Sequence, residues 1–149
     1  MIWVDADATP RAVKEMLYRA AQKRGVQLTL VANQWMLTPK SPNIHMQVVG
    51  QGFDVADEYI AEHVSTGDLV ISADVPLAAA VVEKGAVCVD PRGQIIDATN
   101  ANARLAMRDF METMRESGEQ MGGPAPYSDK DKRRFAAVLD RFLATGRVK

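Results

Sequence analysis

Short apolar runs alternate with amphipathic stretches over residues 1–97. Ile2 to Asp5 is apolar until its closing aspartate and predicts a short strand. Thr9 followed by Pro10 predicts a capped helix start, Thr9 as cap and Pro10 as first helical residue. Val13, Met16, Leu17, Ala20 and Ala21 then recur on one helical face until Gly25 stops it. Residues 27–32 predict a second strand, and Ile44 to Val49 a third, after a loop holding Pro39 and Pro42. Asp54 suits the cap of a helix with Ala56, Tyr59, Ile60 and Val64 on one face. Leu69 to Ala73 predicts a fourth strand and Ala86 to Val89 a fifth. Between them residues 75–84 are apolar all round, which predicts a buried helix.

Strands that alternate with helices predict parallel βαβ units with helices on both faces. The expected fold class is α/β: a three-layer α/β/α domain with a mainly parallel five-stranded sheet and two C-terminal helices. Those helices are expected at 101–117 and 129–144, with no strand between them. Met107, Phe110, Met111 and Met114 stripe the first, and Phe135, Val138, Leu139 and Phe142 the second. Ser128 and Asp131 have the spacing of a capping box. The Gly122-Gly123-Pro124 stretch predicts an exposed loop. Residues 1–149 read as one domain, with an α/β core at 1–97 and a helical extension at 98–149. There is no internal repeat.

Composition narrows the class. The chain has 149 residues, 47% apolar and 25% charged, as in ordinary globular domains. Its single cysteine, Cys88, permits no internal disulfide and reads as an inert core thiol. The N-terminus has no basic, apolar leader pattern. Val75 to Val82 is far too short a run to cross a bilayer. A cytoplasmic protein with no membrane partner is expected. The net charge of −1 excludes a nonspecific polyanion binder. The balance is nevertheless uneven, −4 over residues 1–99 and +3 over 100–149.

The candidate chemistry is acidic. Asp5 and Asp7 close the first strand, Asp54 and Asp57 open the helix after the third, Asp74 follows the fourth and Asp90 the fifth. In a parallel sheet these strand ends share one edge, where ligands bind at the crevice of reversed strand order. If the first and fourth strands are neighbours, Asp5, Asp7 and Asp74 converge, and Asp54 and Asp57, one turn apart, can face them. Gathered carboxylates repel and raise one another's pKa, a penalty that Mg²⁺ or Mn²⁺ removes. Singly, Asp54 and Asp74 also read as ordinary caps, Asp57 as a helix-dipole partner and Asp90 as a turn residue. Asn33 and Gln34 follow the second strand on the same edge and either contact substrate or close the loop. Arg92 and Arg108 are candidate phosphate ligands, with Arg104 and Arg115 beside Arg108 on the tail helix. His45 and His63 have no ligand-like partner in sequence, and Trp3 and Trp35 read as packing residues.

DADATP at 5–10, VANQ at 31–34, VGQGFDVADEYI at 49–60, GDLVISADVPLAAAVVEKGA at 67–86, PRG at 91–93, RD at 108–109 and GGP at 122–124 resemble the YaiI/YqxD family. That family is grouped with PIN-like domains and has no established molecular function. The aspartate ending the first strand, DVAD on a helix and SAD after an apolar strand also resemble the acidic pattern of PIN and NYN ribonucleases, which use Mg²⁺ or Mn²⁺ to cleave RNA. The resemblance implies a PIN-like, metal-dependent phosphodiesterase acting on RNA by metal-activated water. Asp5, Asp7 and Asp74 are its catalytic candidates, and Asp5, Asp54, Asp57 and Asp74 its metal ligands.

Two other functions fit parts of the pattern. DADAT resembles the D-x-D-x-T motif of haloacid-dehalogenase phosphatases, with Asp5 as nucleophile, Asp7 as general acid and Ser72 in a second motif. Against it stand the early helix start at Thr9-Pro10, which leaves no room for the usual loop and flap, and the lack of a later paired acidic motif. A PIN-like module that binds nucleic acid or protein without cleaving is the non-enzymatic reading.

Overall fold

The computed structural model describes residues 1–52, 54–116, 118 and 125–149, so the Gly122-Gly123-Pro124 loop lies outside the described residues. Six strands form one sheet: β1 (Ile2–Asp5), β2 (Leu28–Ala32), β3 (Ile44–Val48), β4 (Leu69–Ile71), β5 (Val87–Val89) and β6 (Ile95–Ile96). Their order is β3-β2-β1-β4-β5-β6. The first five are parallel, while β6 pairs antiparallel with β5, Cys88 facing Ile96 and Val89 facing Ile95. The expected five strands are therefore six. A strand of two residues is too short to leave a pattern in sequence.

Alternation along the strands builds two cores, because successive side chains leave opposite faces of a sheet. Ile2, Val4, Leu28, Leu30, Leu69 and Ile71 point to one face. There they meet α1 (Arg11–Arg24) through Val13 and Leu17, and α5 (Asp129–Thr145) through Phe135, Val138, Leu139 and Phe142. Trp3, Val31, Val70 and Cys88 point to the other face. They pack on Ala56 and Ile60 of α2 (Val55–His63) and on Leu77, Ala78 and Val81 of α3 (Val75–Glu83). The continuous apolar character of β1, β2 and β4 reflects burial on both faces.

The helix starts differ from expectation in one place and agree in another. Pro10, not Thr9, is the N-cap of α1 and makes no side-chain cap bond. The Thr9 hydroxyl instead donates to the Asp5 carbonyl at 2.8 Å, tying down the 3-10 turn at Ala6–Ala8 that follows β1. Ser128 and Asp131 do form the capping box of α5. α3 is buried on one side only, through Leu77, Ala78 and Val81, while Pro76 is exposed.

The fourth α-helix, α4 (Ala101–Glu116), covers its apolar stripe only in part. Ala101 is buried and Arg104, Leu105, Arg108, Met111, Glu112 and Met114 are half-buried, whereas Met107 and Phe110 stand 60% and 57% exposed. A helical period identifies an apolar face but not whether anything covers it.

The turn joining β5 to β6 carries a tight constraint. Asp90 Oδ1 accepts from the backbone N–H groups of Arg92 and Gln94, each at 2.9 Å, and Gly93 has φ +83°. A Cβ on Gly93 would lie 2.7 Å from the Arg134 carbonyl carbon and 2.7 Å from the Phe135 nitrogen, both backbone atoms of α5. Gly93→Ala is therefore expected to cost at least about 2 kcal/mol, combining positive-φ strain with a clash that no rotamer relieves. Urea unfolding checks this; a loss below about 0.5 kcal/mol would mean that α5 is free to move off the turn.

Candidate functional site

β1 pairs in parallel with both β2 and β4, so it lies where strand order reverses. Its C-terminal end faces a cleft of about 270 Å³ lined by Asp5, Asp7, Asn33, Gly52, Asp54, Asp57 and Asp74 among others. A second hollow of about 260 Å³ continues past Asp54, Asp57 and Asp74 to Glu58 on α2 and Arg108 on α4. A third, more open groove runs from Asp7 and Asn33 to Gln34, Gln51 and Gly52.

Asp5 is the buried floor of the cleft. Its carboxyl is held above the usual carboxylate range, first by burial and then by the charges of Asp74 and Asp7, against a bond from the Ser72 hydroxyl that works the other way. That bond, Ser72 Oγ to Asp5 Oδ2, is 3.1 Å long. The same Ser72 oxygen accepts the Asp74 backbone N–H at 3.0 Å. One buried serine thus joins the ends of β1 and β4. Its signal in sequence is a hydroxyl directly after an apolar strand, which the nuclease reading left without a role.

Asp74 is the N-cap of α3, its Oδ1 accepting the Leu77 N–H at 2.9 Å. Asp54 occupies the N-cap position of α2 but makes no side-chain cap bond, and its φ of +65° is the left-handed region. Aspartate is one of the few non-glycine residues that enters this region, at a modest cost. One oxygen from each of Asp54, Asp57 and Asp74 lies within 4.8 Å of the others. Asp57 records the consequence. Burial, the charges of Asp74 and Asp5, a hydrogen bond with Asp74 and the charge of Asp54 push its carboxyl up to about 7. The donor set, three hard oxygens carrying excess negative charge, suits Mg²⁺ or Mn²⁺.

Asp7 stands at the cleft's outer edge, where its Oδ2 accepts the Asn33 backbone N–H at 2.8 Å and fastens the loop after β2. Asn33 lines both the cleft and the groove, and Gln34 lines the groove alone. Gln51, also in the groove, went unassigned in the sequence because no strand end or cap marks it. Arg108 reaches the hollow beside the trio while pairing with Asp109 at 3.3 Å and Glu112 at 3.1 Å.

Arg92 is elsewhere. It bonds Asp131 at 2.9 Å and the Ala125 carbonyl, holding α5 to the sheet edge beside Tyr127. Asp90 serves the turn already described. Arg104 donates to the Gln94 side chain at 3.2 Å. His45 bonds Gln27, and the His63 ring stacks on Tyr59 with centroids 4.0 Å apart. Cys88 is buried, and burial pushes its thiol up to about 12, which suits an unreactive packing group. Trp3 packs, but Trp35 does not: it is 68% exposed. No helix among the described residues is long and apolar enough to cross a membrane.

The comparisons with known proteins agree across nearly the whole chain. A family model described as uncharacterised, the YaiI/YqxD family, matches residues 3–145. A UPF0178 protein of Shewanella amazonensis is 57% identical over 143 residues, covering 96% of each chain. One from Saccharophagus degradans is 54% identical over 145 residues, 97% of this chain and 96% of its own. One from Aliivibrio fischeri is 53% identical over 147 residues, 99% of each. No solved structure matches.

The shared charge predicts a pH dependence. A carboxyl raised to about 7 binds its proton more tightly folded than unfolded, so its stabilising contribution is present at low pH and lost as pH rises through that value. In chelator the melting temperature should fall from about pH 5 to about pH 8, and Asp57→Asn should remove most of that slope. Mn²⁺ should raise the melting temperature most at the alkaline end. An unchanged slope in Asp57→Asn would show that the three carboxylates do not share a proton.

Proposed function

Given that the chain belongs to the uncharacterised YaiI/YqxD family, whose name records no reaction, we propose that it is a metal-dependent phosphodiesterase acting on RNA. The observation that carries this reading is the trio Asp54, Asp57 and Asp74, with one oxygen each within 4.8 Å at the switch point of a parallel sheet. These three would hold Mg²⁺ or Mn²⁺. When bound, such an ion neutralises the carboxylates, polarises a phosphoryl oxygen and lowers the pKa of water.

The remaining residues have separable tasks. Asp5 is buried with a raised pKa and anchored by Ser72, which suits a carboxylate that takes a proton from the attacking water. Asp7 holds the Asn33 loop in place, and Asn33 and Gln34 face the path by which a strand would enter. Arg108 lies beside the trio, where a guanidinium can fork onto non-bridging phosphate oxygens. Its present partners, Asp109 and Glu112, are both substantially solvated, so these pairs are weak and easily exchanged for phosphate.

The structural context weighs against the phosphatase reading of DADAT. α1 begins at Arg11, after one 3-10 turn, so no flap intervenes between the motif and the first helix. Asp7 is engaged by a backbone N–H rather than free to serve as an acid.

Single-stranded RNA should be cleaved in Mn²⁺ or Mg²⁺ and left intact in chelator. Asp5→Asn should lower turnover on the order of 10²-fold or more while metal binding, read by calorimetry, persists. Asp57→Asn should weaken metal binding itself. Hydrolysis of small phosphomonoesters with no cleavage of any oligonucleotide would overturn the assignment in favour of a phosphatase.

A further inference from the structure

The two tryptophans of this chain have opposite surroundings. Trp3 is 8% exposed, lies edge-on to Tyr59 and donates its indole N–H to Asp68 at 3.0 Å. Trp35 is 68% exposed and Leu37 81%. Exposed apolar side chains that occur singly need no explanation. The position of Trp35 does.

Trp35 follows Gln34, which lines the groove that Asp7, Asn33, Gln51 and Gly52 share. It is two residues from Asn33, whose N–H is bonded to Asp7 at 2.8 Å. Two residues span at most about 7 Å, so the indole starts within one side chain's reach of the acidic cleft. The next residue, Met36, has its sulfur 3.8 Å from the Lys14 ammonium, which also lies 3.5 Å from the Ala6 carbonyl oxygen. Trp35 therefore sits in the chain between an amide of the groove that leads to the clustered carboxylates and a residue that meets a lysine. Amides, a cation and an exposed aromatic ring on one short segment match a surface for single-stranded nucleic acid, where bases stack and phosphates meet positive charge.

We propose that Trp35 is a base-stacking platform that positions single-stranded RNA beside the acidic cleft. One base lies on the indole, the Asn33, Gln34 and Gln51 amides meet its edge or its ribose, and Lys14 meets the phosphate on the far side. The phosphodiester next to the stacked base is thereby presented to Asp5 and the trio. A duplex keeps its base faces covered by its own stacking and is not held this way. The proposal rests on the nuclease reading for the direction in which the strand runs, but the stacking contact has its own readout.

The test uses a short oligouridylate with nonhydrolysable linkages, in Mg²⁺, followed by indole fluorescence. Buried Trp3 serves as an internal reference. Binding should quench Trp35, a blunt duplex should not, and Trp35→Ala should weaken binding about tenfold or more while Trp35→Phe retains most of it. Cleavage of ordinary RNA is measured on the same proteins. Quenching that depends on Trp35 without any cleavage supports the platform and defeats the nuclease reading. Cleavage that is lost in Asp57→Asn, with KM and fluorescence indifferent to Trp35→Ala, overturns the platform and leaves the nuclease reading standing. Neither quenching nor cleavage defeats both. A Trp35-dependent dimer in sedimentation that the oligonucleotide does not dissociate also overturns the platform, assigning the ring to contact with a second copy.

Discussion

Everything at the candidate site depends on β1 being hydrogen-bonded in parallel on both sides. With β2 on one edge and β4 on the other, the chain leaving β1 has helices departing to opposite faces. The point between them opens on the acidic cleft. Asp5 stands at that point, opposite Val31 of β2, and Val4 is level with Ile71 of β4. The Ser72 hydroxyl then closes the junction by donating to Asp5 while accepting from Asp74. A slip of one residue in either ladder would turn Asp5 to the opposite face and break this bridge.

The site is built against its own electrostatics. Five carboxylates line one cleft, and their repulsion is opposed by specific backbone and side-chain donors. Leu77 N–H serves Asp74, Asn33 N–H serves Asp7 and Ser72 serves Asp5. Asp57 is left with its carboxyl pushed up to about 7, and Asp54 with a left-handed backbone and no cap bond. Unrelieved charge of this kind is a cost in stability. Outside the cleft, Arg92 and Asp131 show the opposite economy, a satisfied pair that locks α5 onto the β5–β6 turn where Gly93 allows backbone contact.

Apolar character did not decide burial at two places. The stripe of α4 is covered only in part, with Met111 and Met114 half-buried and Met107 and Phe110 exposed, and Trp35, read as a packing residue, is exposed. Apolar character shows that burial is favourable; only the arrangement of neighbouring elements shows whether it happens. On α4 the half-buried positions include Arg104 and Arg108, because their long aliphatic stems lie over the fold while the charged ends reach Gln94 and the hollow beside Asp74.

The sequence by itself determined the class of the fold and its elements other than the two-residue β6. Periods of two and near four residues, proline and glycine stops and the Ser128–Asp131 box depend on neighbours close in the chain, so they are legible without coordinates. It also marked every carboxylate that reaches the cleft, since each follows a strand or opens a helix. What only the tertiary structure decided is which of these groups meet. Asp54, Asp57 and Asp74 form the close trio while Asp5 lies beneath and Asp7 outside, and Arg92, on the same predicted edge, turns to Asp131 instead. Such choices follow from strand order and helix packing over separations of tens of residues. Sequence periodicity carries no information about distances of that kind.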